Sequence, residues 1–207
     1  MKPRTAWRII GALSICIAAP LCALYVTKST AQSGGESQTQ AASNASPIYG
    51  VTIPTGYRDW HLISVKRLTG GNSDNPALIE AHMALKQLRA ELANDIATKA
   101  FRQGTIPFPD GSIIAALHWN EASSDADNKV LAEGFPGAGL ESAFAGSAVN
   151  AQFMVKDSKK YAASGGWGFA DFANGKPGNG ALHAKCFPCH QPGKDHDYVF
   201  TRYAPTP

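Results

Sequence analysis

An α+β fold, mostly antiparallel β-sheet with one long packed helix, is predicted by three features of this 207-residue chain. Short segments of strand-like alternation recur along it. One long stretch of helical spacing separates the first of them from the second. A short helix-forming run, Cys186-Phe187-Pro188-Cys189-His190, lies near the C-terminus.

Each element follows from its residues. Asp59 to Leu68 (DWHLISVKRL) alternates like a strand and follows a Pro54/Gly56 turn. The period then changes. Asp74 or Asn75 is a suitable N-cap, Pro76 suits the first helical position, and Leu78, Leu85, Leu88, Leu92, Ile96 and Phe101 recur at helical spacing until Gly104. This predicts one amphipathic helix over that whole stretch. The turn Pro107-Phe108-Pro109-Asp110-Gly111 leads into Ser112 to Trp119 (SIIAALHW), apolar enough for a buried strand. Val149 to Val155 (VNAQFMV) alternates, and Gly165 to Phe172 (GGWGFADF) is an aromatic, glycine-kinked β segment. Asp197 to Tyr203 (DYVFTRY) alternates as a closing strand.

Composition bounds the domain organisation. Lys2, Arg4 and Arg8 precede an apolar run from Ile9 to Val26, and Ser29-Thr30-Ala31 offers a small-x-small cleavage site. Residues 1–31 therefore read as an export signal cleaved near Ala31, which directs the chain to the periplasm. The alternative is an uncleaved signal that anchors it to the inner membrane, because the apolar run just reaches spanning length. The signal holds four of the 19 basic residues and none of the 16 acidic ones, so 15 face 16 in the remainder. That near-neutral balance gives no reason to expect nucleic acid as a partner. Residues 32–46, rich in Ser, Gln, Ala, Gly and Asn, read as a flexible linker. Residues 47–207 are the size of one domain.

Chemistry concentrates in the C-x-x-C-H run. Cys186 and Cys189 fall on one side of a helical turn, placed to bond covalently to two haem vinyl groups, and His190 follows at once to ligate the iron. The motif therefore predicts one haem c, attached through Cys186 and Cys189 with His190 as the metal ligand. A zinc site would need about two further Cys or His ligands, and the other cysteines, Cys16 and Cys22, lie in the signal. Two familiar haem architectures fit poorly. No Met follows Cys189 to serve as a sixth ligand, and the segments before the motif are not all helical.

Taken in order, Tyr57-Arg58-Asp59-Trp60, Phe108-Pro109-Asp110-Gly111, Met154-Val155-Lys156-Asp157-Ser158, Gly165-Gly166-Trp167-Gly168-Phe169, the late C-x-x-C-H and Tyr198-Val199-Phe200 resemble the cytochrome P-460 family, which includes cytochrome c-prime-beta. The long stretch before the Phe-Pro-Asp-Gly turn is similar to its longer-helix proteobacterial branch. The resemblance implies a mostly β fold, a homodimer, and one five-coordinate haem c open to a small nitrogen-oxide ligand. It also implies hydroxylamine oxidation or nitric oxide binding. Hydroxylamine-oxidising members carry a lysine cross-linked to the haem, expected on the strand after the Phe-Pro-Asp-Gly turn. Here Ala116 stands at that place, and no Lys occurs between Lys99 and Lys129. Lys156, the next candidate, is expected to end its strand in solvent.

The remaining candidates follow from residue type. Phe108, Trp119, Phe153, Trp167 and Phe169 offer an aromatic lining for a porphyrin, with Trp167, Phe169 and Phe108 chosen as cofactor-binding residues. Arg58 or Lys185 suits a haem propionate. Glu121, Asp110 and His118 are candidate proton acceptors, although Asp110 also suits its turn and Glu121 the start of a polar loop. Met154, His61, His82 and His118 are candidate sixth ligands, whereas His183 and His196 lie too close to His190 in sequence to reach the opposite haem face. Gly134-Phe135-Pro136-Gly137-Ala138-Gly139 lacks the ending of a phosphate loop and reads as a surface loop.

Two readings emerge. One is a redox enzyme acting on hydroxylamine or nitric oxide, with a small redox cytochrome as electron acceptor. The other is a non-enzymatic cytochrome that binds nitric oxide or transfers electrons.

Overall fold

Six antiparallel strands form one meander, in the order β1-β2-β3-β4-β5-β6, in a computed structural model that describes residues 44–68 and 86–204. The strands are β1 (His61–Leu68), β2 (Gln87–Ala93), β3 (Ile113–Ala122), β4 (Phe144–Lys156), β5 (Trp167–Ala173) and β6 (Lys176–Pro177). The helices are α1 (Asp95–Gln103), α2 (Asp125–Gly134), α3 (Gly180–Ala184) and α4 (Cys186–His190). The fold is α+β. Among the described residues no helix is long and apolar enough to cross a membrane. The segment expected to be an export signal, most of the expected linker and the predicted helix start at Asp74 lie outside the described residues.

Each face of the sheet buries its own core, as strict alternation along a strand requires. Leu92, Ala115, Leu117, Phe153, Ala170 and Phe172 pack on one face with Val51 and Tyr161. On the other, Ala93, Ile114, Trp167 and Phe169 pack with Ile63, with Ala97 and Ala100 of α1, and with Phe108 and Val199. Register explains the partition. Ala93 pairs with Ile114, Ile114 with Met154 and Met154 with Phe169, and residues paired directly across strands share a face.

The long helix requires correction. Gln87–Ala93 form β2, and among the described residues of the predicted stretch only Asp95–Gln103 are helical. Leu88, Leu92 and Ile96 are four apart, and a spacing of four satisfies period 2 as well as 3.6. The helix starts at Asn94, whose side chain accepts from Ala97 N at 3.0 Å and from Ile113 N at 3.1 Å and donates to Gly111 O at 2.8 Å. Gly104 ends it in the left-handed conformation, φ 65°, at the predicted place.

Four smaller expectations also change. Asp197 to Tyr203 is not a strand: Asp197 and Tyr198 are left-handed, φ 52° and 64°, which breaks the extended path. Glu121 does not open a loop; it lies within β3 and receives both Arg67 Nε and Nη2 across β2. The polar stretch beyond it folds as α2, capped by Ser124. Ser46, assigned by composition to the linker, is buried and donates to Phe169 O at 3.0 Å, so the folded domain begins at or before it.

Candidate functional site

A cavity of about 320 Å³ lies between the sheet and the C-terminal helices. The sheet supplies Lys66 from β1, Arg89 and Glu91 from β2, Ile114 and Ala116 from β3, Gln152 and Met154 from β4, and Phe169 and Asp171 from β5. The opposite wall carries Leu182, Lys185, Cys186, Cys189 and His190, with Phe200 and Thr201 from the tail. Both cysteines and the histidine of the C-x-x-C-H run therefore meet in one space.

Local sequence explains why α3 and α4 stand there. Asn179 caps α3, accepting from Leu182 N at 2.9 Å. His183, fully buried, accepts from Asp171 N through Nε2 at 3.1 Å, so its Nδ1 carries the proton and donates to Asn179 O at 2.9 Å. Both ring nitrogens are thus engaged, and His183 clamps α3 to β5 instead of offering a metal ligand. Pro188 falls inside α4, a helix too short for it to break an interior hydrogen bond.

His190 is held in the tautomer a ligand needs. Its Nδ1 donates to Tyr198 O at 2.7 Å, which leaves the Nε2 lone pair uncommitted. The ring lies between Phe169 and Phe200, each with its centroid 4.9 Å away. Burial pushes its pKa down, the Tyr198 carbonyl works against that, and Lys66 adds to it. The imidazole is therefore kept neutral, the form that binds metal.

Cys186 and Cys189 are free thiols, the first half-buried and the second exposed. Burial, assisted by Asp171 and Cys189, pushes the Cys186 thiol up to about 12. A thiol so reluctant to ionise is a poor redox nucleophile and a poor zinc ligand. Among the described residues no group of three or more His, Cys, Asp or Glu is arranged to hold a metal ion. Haem needs only one axial nitrogen and two thiols beside a cavity, and these residues fit it.

The carbonyl that orients His190 is itself built from far away. Asp197 and Tyr198 adopt consecutive left-handed conformations, which are costly for non-glycine residues. They are held because the Asp197 carboxylate receives Lys156 Nζ at 2.8 and 2.9 Å and Phe108 N at 2.8 Å. Lys156 is 5% exposed and lies over the Trp167 ring at 4.9 Å, which corrects the expectation that it ends a strand in solvent. Gly165 completes the seat: its φ is +68°, and the Tyr198 ring occupies the place where a Cβ would stand.

The comparison with protein families decides the identity. A family model described as Cytochrome P460 matches residues 54–201. The chain belongs to the cytochrome P460 family. Haem binding of the c-type cytochrome kind follows from that membership. No curated protein matches this family member's sequence.

Against the sequence expectations, this cytochrome P460 member brings Cys186, Cys189, His190 and Phe169 together at the cavity. Phe108 and Trp167 stand back from it. They pack edge to face at 5.8 Å in the core beneath the tail, because Phe108 precedes β3 and Trp167 lies opposite Lys156 at the start of β5. Trp119 packs against the other core. Phe153 touches the cavity while its ring meets Tyr57 and Phe172 in that same second core. Lys185 lines the cavity, whereas Arg58 is exposed elsewhere.

None of the expected proton acceptors lines the cavity. Glu121 is held ionised by Arg67, and Asp110 by two hydrogen bonds from Ser158, each below its usual range. His118 lies buried on β3. Of the sixth-ligand candidates Met154 lines the cavity, whereas His61 pairs with Asp95 at 3.0 Å and His82 is outside the described residues. The carboxylates that do reach the cavity are Glu91 and Asp171. Both were hidden by context: Glu91 sat in a presumed helix, and Asp171 in an aromatic strand.

Proposed function

We propose that this is a periplasmic mono-haem c-type cytochrome that holds a small nitrogen-oxide ligand, hydroxylamine or nitric oxide, on an open haem face. The observation that carries this reading is His190, neutral and fixed through Nδ1 to Tyr198 O, sharing a cavity with Cys186 and Cys189. Cys186 and Cys189 hold the haem covalently, and His190 Nε2 is its protein ligand. When bound, the haem supplies a redox-active iron with a free coordination position. The chain's own residues supply the rest. Phe169 and Phe200 keep water from the imidazole, Lys66, Arg89 and Lys185 offer cations to the propionates, and the row Glu91, Ala116, Gln152 and Asp171 presents a polar floor.

Family resemblance adds a homodimer, and a small redox cytochrome is the electron acceptor if hydroxylamine is turned over. The export signal supports the periplasmic location. Ala116 in place of a long basic side chain speaks against a conventional haem-lysine cross-link. A second reading, a six-coordinate electron-transfer cytochrome, is favoured by Met154, whose side chain lies on the cavity side of β4.

Absorption spectra of the haem-loaded protein separate the two. A five-coordinate ferric spectrum that changes on addition of nitric oxide is expected, with reduction of an added acceptor marking hydroxylamine turnover. A six-coordinate low-spin spectrum that becomes five-coordinate in Met154→Ala would establish electron transfer instead.

A further inference from the structure

Tyr49 joins the two sides of the molecule, packing against the core on the cavity face and against the scaffold core on the other. Its ring lies 5.4 Å from that of Phe169, edge to face, and Phe169 lies 4.9 Å from the His190 ring. At such separations the rings are in contact. His190, Phe169 and Tyr49 therefore form an unbroken row of π systems leading away from the cavity. The phenol end meets α4, the helix that carries both cysteines. Burial pushes its pKa up, the neighbouring Cys186 adds to this, and a hydrogen bond from the Phe187 amide works against it. The phenol thus keeps its proton at neutral pH, and the residue is only partly buried, so solvent can take that proton when an electron leaves.

The aromatic neighbours are poorer electron donors. Trp167 is fully buried, its Nε1 has no hydrogen-bond partner among the described residues, and the Lys156 ammonium stands 4.9 Å from its ring centroid. A positive charge formed on that ring would face another at close range and could not be relieved by proton loss. Tyr161 lies 6.2 Å beyond Tyr49, with Lys160 Nζ 5.0 Å from its ring centroid. Its hydroxyl donates to the Tyr49 carbonyl, which is too weak a base to take the proton. Tyr198 is reached from Phe169 only through Phe187, by steps of 6.4 and 5.4 Å. Electron tunnelling falls off steeply with distance, so the first phenol along the shortest row is Tyr49.

We propose that Tyr49 is a sacrificial electron donor, giving up an electron through Phe169 and His190 when a hydroperoxide is reduced in the cavity. It thereby draws oxidising power away from the haem. This rests on the reading that His190, Cys186 and Cys189 hold a haem whose other face is open. The O–O bond of the hydroperoxide breaks, taking up two electrons and two protons to leave an alcohol or water and one further water. One electron comes from Tyr49 and the other from the haem. The two protons come from solvent, to which Tyr49 returns its phenolic proton as it becomes a neutral tyrosyl radical.

Hydrogen peroxide is the probe, and electron paramagnetic resonance of freeze-quenched, haem-loaded protein reads the radical. The unaltered protein is expected to give a tyrosyl signal that narrows when the chain carries ring-deuterated tyrosine. Tyr49→Phe should lose that signal, and its Soret band should bleach faster than that of the unaltered protein at equal peroxide. Tyr198→Phe should keep the signal. A signal retained in Tyr49→Phe or lost in Tyr198→Phe overturns the proposal, as does a bleaching rate that Tyr49→Phe leaves unchanged. A Soret band of the unaltered protein that responds to peroxide without any tyrosyl signal also overturns it, while leaving the open haem intact. A Soret band that peroxide does not alter overturns the open haem as well. Should Tyr49→Phe fail to load haem, peptide mapping of the peroxide-treated unaltered protein decides: oxidation at Tyr49 supports the proposal, and oxidation confined to other residues overturns it.

Discussion

Lys156 and His190 show how one side chain sets another through the backbone. Lys156 neutralises Asp197, Asp197 holds a strained turn, and the turn presents the carbonyl that His190 needs. Removing one member of a buried pair strands the other charge, so Lys156→Met should destabilise the protein by about 3–5 kcal/mol, read as the loss of denaturation midpoint at constant slope. Asp197→Asn in the Lys156→Met background should recover part of that loss. The histidine carries a pH signature in the haem-free protein. Its folded pKa is depressed by burial, so the unfolded chain binds more protons there, and stability rises with pH between that depressed value and about 6.5. Stability is lost as the pH falls through the same window, at no more than about 1.4 kcal/mol per pH unit. Denaturation of haem-free protein between about pH 5 and pH 7 should show this slope, and His190→Asn should flatten it.

Among the elements, the junction of β2, α1 and β3 depends on Asn94. One side chain caps the helix, receives the first amide of β3 and donates to Gly111 O. Asn94→Ala should cost about 2 kcal/mol, the upper end for a cap, whereas Asn94→Asp, which keeps the acceptor, should cost less in the same melt. The Gly-Gly-Trp-Gly segment at the start of β5 obeys a different constraint. A Cβ at Gly165 would collide with the Tyr198 ring, and one at Gly168 with the Tyr161 ring. Gly165→Ala should therefore cost about 1–3 kcal/mol in stability and also disturb the His190 seat, visible as a changed spectrum of the haem-loaded protein. Gly168→Ala should lower stability without that spectral change.

At the scale of the whole molecule, the sheet separates two jobs. The face with Leu117, Phe153 and Phe172 lies away from the cysteines and His190 and serves as scaffold, while the other carries both a small core and the cavity. Phe153→Ala should cost about 3–5 kcal/mol with or without haem, because its ring packs against Tyr57 and Phe172. Covalent attachment belongs to the cavity face alone. Cys186→Ala together with Cys189→Ala should leave haem extractable by acid-acetone, and covalently retained haem in that variant would refute attachment through this pair.

Much of this is legible in the sequence. The alternating segments that became β1, β3, β4 and β5 were readable because side chains on a strand face the two sides in turn. The Cys186-Phe187-Pro188-Cys189-His190 run was readable because its chemistry is set by three local residues. Gly104 marked the end of α1 for an equally local reason, its freedom at positive φ. Tertiary structure decided the rest. Whether Leu88 and Leu92 belong to a helix or a strand depends on a partner strand, since a spacing of four fits both periods. Lys156 is buried because Asp197, distant in sequence, neutralises it, and no local pattern announces such a partner. Glu91 faces the cavity because pairing with Ala116 sets its side of the sheet. Local chemistry is written in neighbouring residues, whereas the walls of a cavity are written in contacts between segments far apart, and only the folded chain brings those together.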